Sequence, residues 1–322
     1  MALTIDDLYA SPDHYLHSFD GDAALFVPMD RAAYRRSIFL DGRIAPAGEG
    51  QMRLPVAMLT GQARQPAATA WIFHVAHCGS TLLARALDRT DGNLVLREPL
   101  ALRQVAVTRD ARRLAIVTAM LAKRYRPDAP TIVKANVPVN FLLPDLIAGD
   151  PNAAAIFLYL PLDDYLLAIL RSDNHRGWLR NVTTLLGDHI GAVADLDDAQ
   201  RAAALWLAQM RAYAAAIGRM PNARSLNAER FFAEPGAVLK AAAAHLGAPM
   251  SDGEAEAVIA GPLFATYSKD PSVAFDNAAR LARRNAVATA LGAEIARAQA
   301  FVDQAGGAGP IMAAIAANDL GG

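Results

Sequence analysis

Apolar and polar positions along this chain change period several times, and each change marks an element. Trp71, Ile72, Phe73 and Val75 predict a strand over 71–76. A tight polar segment, His77-Cys78-Gly79-Ser80-Thr81, interrupts it, and Leu82, Leu83, Ala84, Ala86 and Leu87 then predict a helix over 80–89. The turn signal Asp91-Gly92-Asn93 precedes a short strand at 94–96. Apolar residues between Leu102 and Leu121 predict a helical region, and 131–133 and 154–160 read as buried strands. Pro161 can open a helix at its first turn, and Asp163 and Asp164 there would favour the helix dipole. A basic polar stretch follows at 171–180. Beyond it, the pattern predicts a helix over 197–220, a last core strand at 223–227 and a helix over 235–246 closed by Gly247. A long helix rich in Ala and Arg is expected over 277–304. Strands alternating with helices imply an α/β fold whose mainly parallel sheet has helices on both faces.

Three regions are expected. Residues 1–66 mix aromatics with the turns Asp20-Gly21 and Asp41-Gly42, which suggests an extension packing on the core, with one short strand at 37–40. Residues 61–69 read as a linker into the first core strand. Residues 67–305 form the main domain, and the small apolar residues of 306–322 predict a loosely docked tail.

Composition narrows the function classes. Hydrophobic content of 53% with 20% charged residues is ordinary for a globular enzyme of 322 residues. The net charge of −1 gives no reason to expect nucleic acid or an anionic membrane as a partner. The single cysteine, Cys78, excludes an internal disulfide and suits a reducing compartment. The N-terminus lacks a basic segment followed by an apolar one, and the most apolar run, 153–170, is broken by Pro161, Asp163 and Asp164. A soluble, cytoplasmic protein is therefore expected.

The chemistry concentrates in the strand, loop and helix of 71–88. The first N–H groups of a helix have no intrahelical partner, and small loop residues let them approach an anion closely. A nucleotide-hydrolysing P-loop reads G-x-x-x-x-G-K-[ST]. With Gly79 as its second glycine, His74 stands at the first glycine, Ser80 at the lysine and Thr81 at the Ser/Thr position. Without that lysine, ordinary phosphoryl transfer loses the cation that spreads charge over the β- and γ-phosphates.

The segment from His77 to Leu83 resembles the 5′-phosphosulfate loop of the sulfotransferase superfamily, which typically reads [KR]-[ST]-G-[ST]-T followed by apolar residues. Arg97-Glu98-Pro99 is similar to the "EP" after the second strand in carbohydrate-type and bacterial members. Leu226-Asn227-Ala228-Glu229-Arg230-Phe231-Phe232, with Pro235 and His245-Leu246-Gly247, resembles the family's Y-E-D-L…P…F-L-G stretch, and residues 267–271 look like its C-terminal region. The resemblance spans roughly residues 71–284. It implies a three-layer P-loop NTPase-like fold and 3′-phosphoadenosine-5′-phosphosulfate as the sulfuryl donor, without a metal. His77, Cys78, Gly79, Ser80, Thr81 and Leu82 would then hold the donor's 5′ end, and a base would deprotonate the hydroxyl of a small acceptor.

Two departures shape the expected site. His77 stands where the family has Lys or Arg, so its charge at neutral pH would depend on a bound phosphate raising a pKa of about 6.5. It could then serve as donor or acid to the leaving group. The family's Arg and Ser for the 3′-phosphate are matched by Leu160 and Ala168, and Arg171 with Ser172, about one helical turn on, are candidate replacements. Glu98, at the C-terminal end of its strand where open α/β sheets place ligands, is the general-base candidate. An ion pair with a neighbouring cation is the alternative reading of that residue. Lys134 and Asn136 end the next strand at the same edge. His175, Arg176, Trp178 and Arg180 are candidates for the acceptor pocket or for a solvated basic face, and Lys269, Arg280, Arg283 and Arg284 for donor-phosphate contacts or surface charge. Two other readings of the chain stay open: an atypical P-loop kinase or phosphotransferase, and a non-catalytic nucleotide-binding protein of this fold.

Overall fold

The computed structural model describes residues 3–62, 67–89 and 92–321. Part of the expected linker at 61–69, and Asp91 of the expected turn, lie outside the described residues. The architecture is a mixed α/β fold. Five parallel strands, β4 (Thr69–His74), β5 (Leu94–Arg97), β6 (Thr131–Lys134), β7 (Ala155–Tyr159) and β8 (Ala223–Asn227), lie in the order β5-β6-β4-β7-β8 with helices on both faces. β4 is central. It and β7 are buried throughout, as expected of parallel strands covered on both faces. Phe73 stacks on Phe157 across the β4–β7 pair, with ring centroids 5.1 Å apart.

Strand register decides which side chains meet. Lys134 of β6 is the partner of Ile72 in β4 and of Arg97 in β5. His74, two residues beyond Ile72, and Glu98, one beyond Arg97, are thereby brought to Lys134 at the C-terminal edge of the sheet.

The first part of the chain forms a three-stranded antiparallel sheet of β1 (His14–Asp20), β2 (Ala23–Pro28) and β3 (Met52–Pro55). Its Tyr15, Phe19, Phe26 and Tyr34 belong to the same buried cluster as the main sheet. Arg97, 1% exposed, ties the two parts together: it pairs with Asp88 at 2.7 Å and donates to the carbonyls of Tyr34 and Ser37. Residues 37–40 are irregular rather than a strand. Their role is local, since Leu40 N–H donates to the Arg97 carbonyl and the Leu40 carbonyl accepts from Leu100.

Other expectations need correction. The basic stretch at 171–180, to which the sequence assigns no element, is helical from Asp173 on: Ser172 caps the helix Asp173–Leu185, whose Leu179 and Val182 face the core. Its basic residues masked that pattern. The long helix expected over 277–304 is two, Asn277–Ala290 and Gly292–Gln304, with Leu291 between them at ψ 7°. The expected loose tail contains the helix Gly309–Ala316, and Asp319 bridges to Ser225 on the outer edge of β8. Ile315 and Leu320 are buried there. A strand edge left open would present unpaired backbone groups, and the tail satisfies some of them. No described helix is long and apolar enough to cross a membrane.

Candidate active site

The loop after β4 is held in an uncommon backbone shape. Ala76 and His77 have φ of 73° and 50°, and Gly79 has φ of 77° before the helix Ser80–Ala86 begins. Two consecutive non-glycine residues at positive φ carry strain of the kind concentrated at ligand sites. The ring of Phe232 lies against Gly79, so close that a Cβ at that position would sit 2.7 Å from its Cζ. The Arg280 guanidinium stacks on the same ring, 4.2 Å from its centroid.

Three pockets meet at His77. The first, about 740 Å³, is lined by loop residues 77–82 with Arg171, Lys269 and Arg280. Thr81 is 2% exposed, and its Oγ1 has no hydrogen-bond partner although it is buried. An orphaned buried hydroxyl in a loop of free helix N–H groups is a place for an acceptor-rich ligand. Ser80 and Cys78 are also buried, and burial pushes the Cys78 thiol up, away from thiolate chemistry.

The second pocket, about 610 Å³, contains Leu160 and Ala168 in its wall, with Arg171, Arg283 and Arg284. Among the described residues, Arg171 and Arg283 make no ion pair with a carboxylate; they hydrogen-bond His175 and the Tyr267 hydroxyl. Arg280 and Arg284 are spent on Glu229 and Asp164. Ser172 lies outside this pocket: its hydroxyl accepts from the His175 N–H as the helix cap.

The third is a cleft of about 1080 Å³ holding Glu98, Asn136, Arg103, His175, Trp178 and Lys269. Lys134, fully buried, donates to Glu98 Oε1. Burial alone would raise the Glu98 carboxyl, but Lys134, with Lys269 and Arg43 further off, outweighs it and holds the pKa below the usual value. Glu98 is therefore ionised and paired, and it is only 17% exposed. Its own φ is 56°. Asn136 is 8% exposed with its Oδ1 unpartnered. Arg176 and Arg180 do not line the cleft; Arg176 pairs with Glu294 and Asp198, and Arg180 with Asp198.

His77 sits between these spaces, its ring 4.0 Å from that of His175 and edge-on to Trp178 at 5.6 Å. Burial, then Lys269, His175 and Arg171, drive its pKa well below the ordinary value, so the imidazole is neutral before any anion arrives. His175 is lowered for similar reasons. Two imidazoles kept neutral beside cations that have no carboxylate partner among the described residues form a site that gains most from a bound anion.

One residue here, His74, was visible in the sequence only as the wrong residue at a P-loop glycine. It is buried, its Nδ1 accepts from the Ala76 N–H at 3.0 Å, and its Nε2 lies 3.1 Å from Lys134 Nζ.

Among solved structures, the fold is similar to that of the sulfotransferase domain from the curacin biosynthetic pathway. That domain is 12% identical, with a TM-score of 0.41, and the match covers 66% of this chain and 84% of that one. No family model matches the sequence, and no curated protein matches it.

Proposed function

We propose that the protein is a sulfotransferase-like enzyme that moves a sulfuryl group from 3′-phosphoadenosine-5′-phosphosulfate to a hydroxyl of a small acceptor. The observation that carries this reading is the junction at His77. An anion loop with an unpartnered buried Thr81 hydroxyl opens on one side to a pocket with free arginines, and on the other to a cleft holding a carboxylate. A donor with phosphate at both 5′ and 3′ ends suits the first two spaces, and a hydroxylated acceptor the third.

Loop residues 77–82 would hold the donor's 5′ end. Arg171 and Arg283, beside Leu160 and Ala168, would hold its 3′-phosphate in place of the family's Arg and Ser. The donor, when bound, supplies an activated sulfuryl group. Glu98 takes the proton of the acceptor hydroxyl, and Lys134 keeps it ionised and oriented for that task. Its lowered pKa makes it a modest base, so orientation and charge stabilisation carry more of the work than basicity. His77 takes a proton from solvent when the donor's phosphate binds beside it, and the imidazolium then hydrogen-bonds the leaving bisphosphate as its bond to sulfur breaks. Arg103 and Lys269 make no ion pair among the described residues, which favours an acceptor that itself carries negative charge.

The test is calorimetric titration with 3′,5′-adenosine bisphosphate in the absence of Mg²⁺. Binding is expected, and Thr81→Val is expected to weaken it about tenfold by removing the hydroxyl from the ligand's reach. The ligand-free Thr81→Val chain should be no less stable, because no hydrogen bond is lost. Binding of Mg-ATP that excludes the bisphosphate would overturn the assignment. Loss of turnover in Glu98→Gln at saturating donor separates catalysis from mere binding.

A further inference from the structure

The loop's strained turn and the Glu98–Lys134 ion pair are joined by one side chain. Ala76 donates its backbone N–H to His74 Nδ1 at 3.0 Å, so Nδ1 must carry a lone pair and the ring hydrogen of the neutral imidazole is on Nε2. That nitrogen faces Lys134 Nζ at 3.1 Å and Glu98 Oε1 at 3.7 Å. Lys134 is itself a donor. Nε2–H and the Lys134 ammonium are both donors, so they do not bond each other, and at 3.7 Å the Glu98 carboxylate offsets their repulsion by its charge rather than by a hydrogen bond. His74 is 5% exposed, so no bulk solvent relieves this arrangement. Burial, followed by Lys134 and Lys269, holds the ring neutral, with the Ala135 carbonyl opposing them.

The other end of the ring is equally constrained. Ala76 has φ of 73°, and its N–H has no strand partner. Without Nδ1 that donor would be buried and unpaired, which is costly. The neighbouring backbone of the same strand is pinned too, since Asn140 donates to the His74 carbonyl at 3.0 Å. Lines of contact therefore run from the cleft carboxylate through one imidazole into the backbone that lines the anion pocket.

We propose that His74 is a positioning residue that makes the anion-binding shape of the loop depend on the ionised Glu98–Lys134 pair. Its Nδ1 pins Ala76, and its Nε2–H lies against the pair, where the Glu98 charge offsets the Lys134 ammonium. The inference rests on the loop being an anion site, as in the sulfuryl-transfer reading, but not on the identity of the nucleotide.

Asparagine and glutamine separate the two halves of the ring. The Oδ1 of asparagine stands near Nδ1 and can accept from Ala76, while glutamine reaches toward Nε2. Titration with 3′,5′-adenosine bisphosphate and, separately, with inorganic pyrophosphate should give near wild-type affinity for His74→Asn. His74→Gln and His74→Leu should lose roughly ten- to a hundredfold, the range for a stranded buried donor. Glu98→Gln is then compared in both backgrounds. Removing its negative charge raises anion affinity equally in each, whereas loosening of the loop lowers it only where His74 is present. The Glu98→Gln effect should therefore differ at least threefold between His74 and His74→Asn backgrounds.

Wild-type affinity in His74→Leu, equal losses in His74→Asn and His74→Gln, or identical Glu98→Gln effects in both backgrounds would each overturn the proposal. If His74→Leu or Glu98→Gln fails to fold, the His74→Asn against His74→Gln comparison decides it. Binding of pyrophosphate but not of the bisphosphate would sink the sulfuryl-donor assignment while leaving this inference testable. Binding of neither would remove both.

Discussion

Replacing Gly79 by alanine tests whether the loop needs its backbone shape. Two separate costs follow from the geometry. At φ of 77° an alanine sits in the left-handed region, which costs about 1–2 kcal/mol relative to glycine. Its Cβ would also lie 2.7 Å from Phe232 Cζ. The ring cannot turn aside freely, because Arg280 stacks on it at 4.2 Å and the Phe231 centroid is 6.0 Å away. It is only half-buried, however, so displacement falls at the low end of overpacking costs, about 1–2 kcal/mol. Urea unfolding should therefore show Gly79→Ala destabilised by about 2–4 kcal/mol. In a Phe232→Leu background the steric part should vanish, leaving about 1–2 kcal/mol for the backbone. Affinity for 3′,5′-adenosine bisphosphate should drop at least about tenfold in the single variant, equivalent to about 1.4 kcal/mol of loop distortion on binding. A Gly79→Ala chain within about 0.5 kcal/mol of wild type, with unchanged affinity, would refute the reasoning from backbone shape. Equal costs in both backgrounds would refute the part that rests on Phe232.

Because His77 is held neutral and a bound phosphate would raise its pKa, binding should take up a proton and strengthen as pH falls from 8 toward 6. Calorimetry in two buffers of different ionisation enthalpy reads that proton, and His77→Gln should abolish it. Lys134→Met would strand the Glu98 carboxylate, costing about 3–5 kcal/mol at pH 7 by urea unfolding. Since the folded pKa of Glu98 is lowered, its contribution is present above the unfolded value and is lost as pH falls through the folded one. Without Lys134, burial raises the Glu98 carboxyl, so the penalty of Lys134→Met should shrink steadily as pH falls and Glu98 of the variant protonates. Lys123, buried against the carbonyls of Leu8 and His14, has its pKa pushed down to about 7. The unfolded chain binds that proton more tightly, so above pH 7 wild-type stability should gain up to about 1.4 kcal/mol per pH unit relative to Lys123→Met. A flat difference between pH 7.5 and 9.5 would contradict it.

The sheet was legible because its strands are short, apolar and bounded by chemistry that cannot continue them. Residues 223–227 match β8, and Pro161 and Gly247 mark a helix start and a helix end as their backbone limits require. What failed to read did so for tertiary reasons. The helix Asp173–Leu185 is polar on most of its surface because Arg176 and Arg180 reach Asp198 and Glu294 on other helices, and no local pattern announces those partners. The tail looked dispensable as a string of small residues. Its order comes from the free edge of β8, to which Asn318 and Leu320 hydrogen-bond through Ser225.

The site divides along the same line. The loop, Glu98 and Arg171 could be found by motif and strand-end position, because a helix N-terminus and a sheet edge are fixed by local sequence. The state of each group could not. The sequence leaves Glu98 open between a base and an ion-pair partner of a neighbouring cation, whereas its partner, Lys134, lies thirty-six positions away and reaches it because β5 and β6 pair in register. His74 reads as a flaw in a P-loop, yet its ring touches both the loop backbone and that ion pair. Charge state at such an edge is a property of three strands at once. Chemistry of this kind therefore follows from which strand neighbours which, and the order β5-β6-β4 is the fact that turns three separate residues into one unit.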